Sequence, residues 1–437
     1  MRLPETFVLR MKDILDNDNQ EWNSFITALS EDSPISVRLN PCKTSDTTLS
    51  SDSISKLFDE PVSWASNAYY LKSKPIFTLD PLFHAGTYYV QEASSMYLDT
   101  LIKQYVSSPV KVLDLCAAPG GKSTLLSSAL PKGSLLVTNE VIHSRANILV
   151  ENMVKWGSPH TIVTNNDPSA FRKTKKFFDL VVADVPCSGE GMFRKDSTAI
   201  AEWSPANVDL CAKRQRRIIA DVWASLKPGG LLIYSTCTYN REENEDNIEW
   251  IADELGADIV SAKHFFPHRS KGEGFFISLL RKNGEASPEK VSKADKKTKP
   301  LTTNWITCPE DYVSVPENPY QAIPLIHYND YCTLRPLLKI LSAGVLLGEV
   351  KGKDVLPAHA LAMSTALNTN AFLKWEVDCD TALRYLRREA LQNIPSDFPN
   401  THILITYQGR SLGFVKNIGS RANNLYPNDW RIRMSIK

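Results

Sequence analysis

The sequence lacks the features that mark membrane, secreted and dithiol proteins. No apolar run approaches the roughly 20 residues that a membrane-spanning helix requires. The residues after Met1 are mixed and polar, without the apolar segment of a secretory signal, so we expect a cytoplasmic protein with reduced thiols. None of the eight cysteines forms a C-x-x-C pair, which disfavours zinc-binding and dithiol redox motifs. We therefore expect no metal.

An excess of charge of one sign is also missing. The chain carries 50 Lys and Arg against 49 Asp and Glu, a net charge of +1. Any affinity for nucleic acid must therefore come from a local patch. A chain of 437 residues exceeds a single hydrophobic core, so two or three domains are expected. No apolar surface helix stands out, which favours a monomer.

The middle of the chain has the pattern of a doubly wound α/β domain. Between residues 109 and 282, short apolar runs beside Gly or Pro alternate with helical segments, as in a mostly parallel, Rossmann-like sheet. An α+β extension (1–108) precedes this domain, and a Lys-rich linker (283–303) leads to a β-rich C-terminal region (304–437). The last predicted helix, 213–226, should stop at the Lys227-Pro228-Gly229-Gly230 segment.

Two cysteines follow two of the predicted strands. Cys187 lies in Asp184-Val185-Pro186-Cys187-Ser188, and Cys237 lies in Ser235-Thr236-Cys237-Thr238. If the strands are neighbours, both thiols lie at one rim of one cleft, because ligands bind at the carboxyl ends of parallel strands. A thiolate there could add to C6 of a pyrimidine, with Asp184 bonding the base edge. A buried structural role is the alternative for any cysteine.

A glycine-rich turn follows the first strand of the domain. The segment Cys116-Ala117-Ala118-Pro119-Gly120-Gly121-Lys122 does not match the P-loop pattern, because position 116 is not glycine. A strand-to-helix turn with free backbone amides, followed about 20 residues later by Glu140, suits an adenosine-containing cofactor. Asp167, after the third strand, strengthens that interpretation.

Basic residues outside this domain are candidates for RNA contacts. Arg38 projects from a short strand before Pro41, where it is either a phosphate contact or a solvated strand residue. The last 37 residues carry six Lys and Arg against one acid, with Tyr426 and Trp430 between them. This patch is either a nucleic-acid site or a solvated basic edge. The arginines proposed for it are Arg421, Arg431 and Arg433.

Three segments closely resemble the S-adenosylmethionine-dependent RNA cytosine-C5 methyltransferases of the NOL1/NOP2/Sun family. They are Val112 to Thr124, Asp184 to Phe193 and Tyr234 to Asn244, and the resemblance covers roughly residues 85 to 282. Further segments, including the run from Asn417 to Pro427, are similar to bacterial RsmF-type ribosomal RNA methyltransferases, which carry a C-terminal PUA-like RNA-binding module.

The resemblance implies roles that the residue pattern left open. Cys237 would be the nucleophile, Cys187 would assist release of the product, and Asp184 would lie beside both cofactor and target base. Glu140 would bind the ribose of S-adenosylmethionine, and Asp167 its adenine. The residues that would wrap the cofactor are Cys116, Ala117, Ala118, Pro119, Gly120, Gly121 and Lys122.

The resemblance favours small-subunit (16S) ribosomal RNA as the substrate, with tRNA as the alternative. Two other classes of function compete with methyl transfer. One is a non-catalytic RNA-binding factor in ribosome assembly, which the intact cysteines and acids disfavour. The other is a thiol redox enzyme with a reversible Cys187–Cys237 disulfide, which the missing C-x-x-C motif disfavours.

Overall fold

The structure is a computed structural model that describes residues 3–44, 54–285, 301–315, 320–351, 354–392 and 394–434. Most of the predicted linker, residues 286–300, lies outside these ranges. The described chain forms a large central sheet flanked by three four-stranded sheets.

The N-terminal region combines short helices with an antiparallel sheet. Its helices are α1 (Glu5–Ile14), α2 (Asn19–Ser30) and the single turn α3 (Pro81–His84). The strands are β1 (Ser36–Leu39), β2 (Phe58–Pro61), β3 (Ala68–Leu71) and β4 (Tyr88–Val90), in the order β2-β3-β1-β4. Helices α1 and α2 bury Phe7 and Phe25 in one cluster with Phe193 and Tyr239 from the middle of the chain. This contact seats the extension on the loops that follow the cysteine strands.

The position of Arg38 contradicts its predicted role as an RNA contact. Its side chain is buried, with 3% of its surface exposed, and it points into the protein. Nε donates to Gln91 Oε1 at 3.0 Å, and Nη2 donates to Thr124 Oγ1 at 2.6 Å and to Gly121 O at 3.3 Å. The guanidinium lies 4.6 Å from the centre of the Trp156 ring. The interpretation of Arg38 as a phosphate contact is therefore wrong. Strand β1 has only four residues, but the protein covers both of its faces, so its arginine cannot project into solvent.

The central domain alternates helices and strands as predicted. In chain order the elements are α4 (Leu98–Tyr105), β5 (Lys111–Asp114), α5 (Gly121–Ala129), β6 (Leu135–Asn139), α6 (His143–Trp156), β7 (Thr161–Thr164), β8 (Phe178–Asp184), α7 (Ser197–Glu202), α8 (Pro205–Val222), β9 (Leu226–Thr236), α9 (Glu245–Leu255), β10 (Ala257–Phe265) and β11 (Phe275–Lys282). Apolar residues of α4, α5 and α6 cover one face of the sheet, and those of α8 and α9 cover the other.

The order of the strands creates a crevice in the middle of the sheet. Strands β5, β6 and β7 run outward on one side, and β8 and β9 lie on the other, with all five parallel. Chain direction across the sheet therefore reverses between β5 and β8, which is where doubly wound sheets bind ligands. In the pairing of β8 with β9, Asp184 lies opposite Ser235. The two cysteine-bearing loops consequently leave the sheet side by side.

The structure differs from the sequence-based expectation at the end of α8. The helix stops at Val222, and Lys227 to Gly230 belong to the long strand β9 instead of ending the helix. The register between β8 and β9 shifts there, with Phe178 paired to Leu226 and Leu180 paired to Leu231. Gly229 takes the positive φ (74°) that this irregular segment requires. Strand β10 was not anticipated, because its residues are mostly exposed and lack an apolar run.

The C-terminal region contributes two small sheets and extends the central one. Its strands are β12 (Tyr312–Val315), β13 (Tyr320–Pro324), β14 (Ile340–Ala343), β15 (Val345–Lys351), β16 (Asp354–Pro357), β17 (Leu373–Glu376), β18 (His402–Tyr407), β19 (Arg410–Asn417) and β20 (Ala422–Asn424). Its helices are α10 (Tyr328–Leu334), α11 (His359–Met363) and α12 (Cys379–Leu386). Strand β14 pairs antiparallel with β7, so the central order is β10-β11-β9-β8-β5-β6-β7-β14. The central sheet therefore draws its edge strand β14 from beyond the predicted boundary at residue 304.

Within the described ranges, no helix is long and apolar enough to cross a membrane. The same ranges contain no group of three or more His, Cys, Asp or Glu side chains arranged to hold a metal ion.

We expect Arg38→Met to destabilise the protein without weakening its affinity for RNA. The change leaves the buried acceptors Gln91 Oε1 and Thr124 Oγ1 without the donor that Arg38 supplies, at a cost of about 2–3 kcal/mol in the free energy of unfolding. Urea denaturation measures this loss. Arg384→Met is the control: its i,i+4 ion pair with Asp380 is exposed and contributes roughly 0.5 kcal/mol or less. Weaker RNA binding with unchanged stability would contradict this prediction and support Arg38 as a phosphate contact.

Candidate active site

A cavity of about 410 Å³ opens where the sheet reverses direction. Residues at or just beyond the ends of the five parallel strands line it. Those predicted from the sequence that line it are Cys116, Ala118, Glu140, Asp167, Asp184, Cys187 and Cys237. One cleft therefore contains both thiols and all three of the predicted carboxylates.

The two thiols are in direct contact. Cys187 Sγ and Cys237 Sγ are 3.0 Å apart, and the backbone N–H of Cys237 donates to Cys187 Sγ at 3.3 Å. The hydrogen bond to Cys237 raises the pKa of the Cys187 thiol well above its usual value, and burial raises it further. Cys187 is therefore a neutral thiol at neutral pH, within hydrogen-bond distance of the sulfur of Cys237, and either sulfur can be the donor. This asymmetry distinguishes two cysteines that the sequence pattern alone treats alike.

Asp184 joins the cofactor turn to the cysteine strands. Its Oδ2 forms an ion pair with Lys122 Nζ at 2.8 Å, and its Oδ1 accepts from Ser235 Oγ at 2.7 Å. Burial lowers the pKa of Lys122, but attraction to Asp184 and Asp114 outweighs burial, so the net shift is upward. Lys122 is thus held as a cation beneath the cleft. It orients the carboxylate that faces the thiols.

Asp114, at the end of β5, is a buried acid that sequence reasoning did not select. Its Oδ2 accepts from Ser123 Oγ at 2.7 Å, while Oδ1 is buried without a hydrogen-bond partner. Burial raises the pKa of this carboxyl to about 7. The turn above it passes through Gly120, whose φ of 120° excludes other residues from this conformation. The start of α5 is thereby held against the end of the strand.

The other end of the cavity fits the adenosine part of S-adenosylmethionine. Val141 and Ile142 line it with about half of their surfaces exposed (52% and 49%), which suits the face of a purine. Glu140 Oε1 accepts from the N–H of Ile142, and Oε2 lies 3.7 Å from Arg145 Nη1, so acceptor positions remain for ribose hydroxyls. Asp167 caps the following turn, and hydrogen bonds from Ser169 lower the pKa of its carboxyl. The donor and acceptor set therefore suits this cofactor.

A buried glutamate from the first cysteine loop holds the second loop. Glu190 Oε2 accepts from Thr238 Oγ1 at 2.6 Å and from the backbone N–H groups of Tyr239 and Asn240 at 2.9 and 3.0 Å. Its Oε1 accepts from Trp203 Nε1 at 2.9 Å. The residues directly after Cys237 are thus fixed by a side chain that belongs to the Cys187 loop.

A second glutamate makes the same contact in the opposite direction. Glu243, three residues beyond Asn240, accepts from the backbone N–H of Ser188 at 3.0 Å and from Gln215 Nε2 at 2.7 Å. Burial raises the pKa of its carboxyl. We call Glu190 and Glu243 the crossed glutamates, because each is carried by one cysteine loop and bonds the backbone of the other. Sequence reasoning missed their role, although both lie within segments that carry the family resemblance.

The predicted RNA contacts of the C-terminal module lie away from this cavity. Arg421, Arg431 and Arg433 are exposed and do not line it. Exposure leaves them available to a partner, and their role stays a prediction.

We expect Asp114→Asn to remove a pH dependence from folding. The folded-state pKa of about 7 exceeds the ordinary value of 3.8, so this group stabilises the fold fully below about pH 4. That contribution is lost as the pH rises through 7. Relative to wild type, the variant should therefore gain on the order of 3 kcal/mol between about pH 5 and pH 8. Urea denaturation at both pH values tests this, with the exposed Asp258→Asn as control; equal changes in both variants would contradict it.

We expect Glu190→Gln and Glu243→Gln to disorder the cysteine loops. Every hydrogen bond to these two carboxylates comes from an N–H or O–H group of the protein. In glutamine an NH₂ group replaces one of the two oxygens, so this second donor must face at least one of those N–H or O–H groups. A loss of roughly 2–4 kcal/mol in stability follows from the broken charge-assisted bonds. Thermal unfolding and methyl-transfer rate measure the effect.

Glu202→Gln is the matched control for the crossed glutamates. This residue is exposed at the end of α7, close in sequence to Glu190, and makes no described contact with either loop. If Glu190→Gln unfolded at the wild-type temperature and kept wild-type activity, the loops would not depend on these contacts.

Three family models match successive parts of the chain. Residues 3–93 match the N-terminal domain of 16S rRNA methyltransferase RsmF, residues 106–281 match 16S rRNA methyltransferase RsmB/F, and residues 372–432 match the methyltransferase RsmF PUA domain. The predicted architecture of an N-terminal extension, a Rossmann-like methyltransferase domain and a C-terminal PUA-like module is confirmed.

Curated relatives match along nearly the whole chain. Ribosomal RNA small subunit methyltransferase F of Erwinia tasmaniensis is 28% identical over 470 residues, which cover 98% of this chain and 96% of that protein. The protein of the same name from Pectobacterium atrosepticum is 29% identical over 476 residues, covering 98% and 95%.

Solved structures share the fold. A methyltransferase homolog protein from Pyrococcus horikoshii superposes with a TM-score of 0.54 at 25% identity, covering 64% of this chain and all of that one. NSun6 from Pyrococcus horikoshii, solved with the S-adenosylmethionine analogue SFG, gives 0.55 at 18% identity, covering 64% and 99%. The predicted dependence on S-adenosylmethionine is confirmed. The chain belongs to the RsmF-type family of 16S rRNA methyltransferases.

Proposed function

We propose that the protein methylates C5 of a cytosine in small-subunit (16S) ribosomal RNA through a covalent bond between Cys237 Sγ and C6 of the base. The observation that carries this proposal is the contact of two thiols, 3.0 Å apart, at the rim of the cofactor cavity. The names of the curated relatives support ribosomal RNA as the substrate.

Methyl transfer to C5 of cytosine requires activation of the base, because C5 by itself is a poor nucleophile. An enzyme thiolate supplies that activation. Addition of the Cys237 thiolate to C6 places electron density on C5, which then attacks an electrophilic carbon. S-adenosylmethionine would supply that carbon as the methyl group on its sulfonium, and breaking the S–CH₃ bond would leave the neutral thioether S-adenosylhomocysteine. The target base must leave its stack to reach the thiols, since the reacting atoms of a stacked base are inaccessible to the cleft.

Cys187 stabilises the thiolate of Cys237 both before it adds to C6 and after it leaves C6. Its S–H, neutral because the pKa is raised by the bond to Cys237 and by burial, stabilises negative charge on the sulfur of Cys237. The same charge returns when Cys237 leaves C6, after the C5 proton has passed to solvent. Addition consumes this stabilised thiolate, whereas elimination forms it, so the hydrogen bond lowers the barrier to elimination only. Cys187 therefore promotes release of the methylated product, and its absence should slow elimination more than addition.

Asp184 binds the edge of the target base. The Lys122 ion pair and the Ser235 hydroxyl fix its carboxylate at the cleft, where it accepts a hydrogen bond from the exocyclic amino group of the base. Arg421, Arg431 and Arg433 bind RNA outside the cleft, on the PUA-like module. Their positive charge and exposure support this role.

We expect the two cysteine variants to fail in different ways. Cys237→Ala removes the nucleophile and should abolish transfer of a tritiated methyl group to ribosomal RNA. Cys187→Ala keeps the nucleophile but removes the S–H that assists its departure, so a covalent protein–RNA adduct should accumulate. Denaturing electrophoresis of the reaction detects this adduct.

Cys332→Ala is the control for loss of a thiol, because Cys332 is exposed on α10, outside the cavity. Normal turnover by Cys187→Ala without an adduct would refute the two-cysteine scheme. Transfer by wild-type protein to tRNA transcripts but not to 16S ribosomal RNA would refute the proposed substrate.

A further inference from the structure

Helix α8 carries a dense basic segment beside the catalytic cleft. Four of the five residues from 213 to 217 are Lys or Arg. Two of these cations are already used within the protein. Lys213 forms an ion pair with Asp209 at 2.7 Å, and Arg216 donates to Asn247 Oδ1 at 2.7 Å.

The other two cations face the cleft. Arg214 and Arg217 both line the cavity that contains Cys187 and Cys237, and both are exposed. Neither donates a hydrogen bond to, or forms an ion pair with, another residue of the described ranges. Arg217 contributes to the lowered pKa of Asp167, after the hydrogen bonds from Ser169, but does not reach ion-pair distance from it. Two guanidinium groups therefore stand at the mouth of the cleft with their donors available.

The fold holds these two side chains in place. Residues three apart on a helix are neighbours on its surface, about 5–6 Å between Cβ atoms. Gln215, between them in sequence, donates to Pro186 O at 3.0 Å and to Glu243 Oε2 at 2.7 Å. The helix is thus fixed to both cysteine loops at the level of the arginine pair. The arginine pair and the thiols therefore line the same cavity in a fixed relation.

We propose that Arg214 and Arg217 bind backbone phosphates next to the target nucleotide and hold the RNA strand at the mouth of the cleft. This inference rests on the proposed function. Guanidinium groups bind phosphate oxygens with paired donors, and extruding a base brings its flanking phosphates close to the protein surface. Another cation of the cavity, Arg145, is already bonded to Ala118 O at 2.8 Å and lies beside Glu140. Among the described residues that line the cavity, the cations without a bond to the protein are therefore Arg214 and Arg217.

The test measures RNA affinity separately from methyl transfer. Binding of an in vitro 16S ribosomal RNA transcript to the full chain is followed by filter retention across a series of salt concentrations. S-adenosylhomocysteine is present, so no turnover occurs. Arg214→Gln and Arg217→Gln should each lower the slope of log affinity against log salt by about 0.7, as expected for one phosphate contact on a single strand. The double variant should lower it by about twice that amount.

Two control variants separate the effect of the arginines' position from the effect of their charge. Lys213→Gln removes the same charge from the same helix, outside the cavity, and should leave the slope unchanged. Arg214→Lys keeps the charge and should restore most of the slope, because the phosphate term depends on charge.

A cofactor measurement separates the proposal from its main competitor. Calorimetry should show unchanged affinity for S-adenosylhomocysteine in both glutamine variants, whereas the KM for RNA rises. Reduced cofactor affinity with an unchanged salt slope would assign the arginines to the cofactor and overturn the proposal. An equal change in Lys213→Gln would overturn it as well. Failure of the wild-type protein to methylate the RNA would count against the proposed function instead, since the binding experiment does not depend on catalysis.

Discussion

The crossed glutamates are the contact on which the active site depends. Two parallel strands place Cys187 and Cys237 near each other, but the loops that carry them leave the sheet and need their own support. Glu190 and Glu243 supply it with buried carboxylates that accept from backbone amides of the opposite loop. Gly191 lets the loops approach closely, because a Cβ there would lie 3.0 Å from Cys237 O and 2.3 Å from Gly274 O. Neither loop can move without breaking charge-assisted bonds of the other.

The regions around the catalytic domain add to this support from two sides. Helices α1 and α2 pack Phe7 and Phe25 against aromatic residues of the cysteine loops. Arg38 reaches from the N-terminal sheet to the first turn of α5, which follows the cofactor turn. The extension is therefore bound to both halves of the cleft, the half that holds thiols and the half that wraps the cofactor. The two thiols and the predicted cofactor turn therefore share one scaffold.

Much of this architecture follows from the sequence, and the exceptions have physical causes. Buried parallel strands are continuous apolar runs, so β5 to β9 and the thiols at their ends were predictable. The pattern could not tell a phosphate-binding arginine from a buried one, because Arg38 is defined by partners more than 50 residues away. Glu190 and Glu243 were missed for the same reason, because their bonds to the opposite loop join residues 48 to 55 positions apart. Asp114 was missed because its burial, which raises its pKa, is a property of the folded sheet. The Pro228-Gly229-Gly230 signal was misassigned because an irregular strand needs the same residues as a helix end.

Strand β14 makes the catalytic domain dependent on chain that follows it by some 60 residues in sequence. Its pairing covers the open edge of β7, whose backbone donors and acceptors would otherwise face solvent. A fragment that ended at the close of β11 would retain every residue of the cavity and still present an unpaired edge to other molecules. Such a fragment would be prone to aggregate through that edge. The sequence that encodes the chemistry is therefore shorter than the sequence that encodes a soluble catalyst.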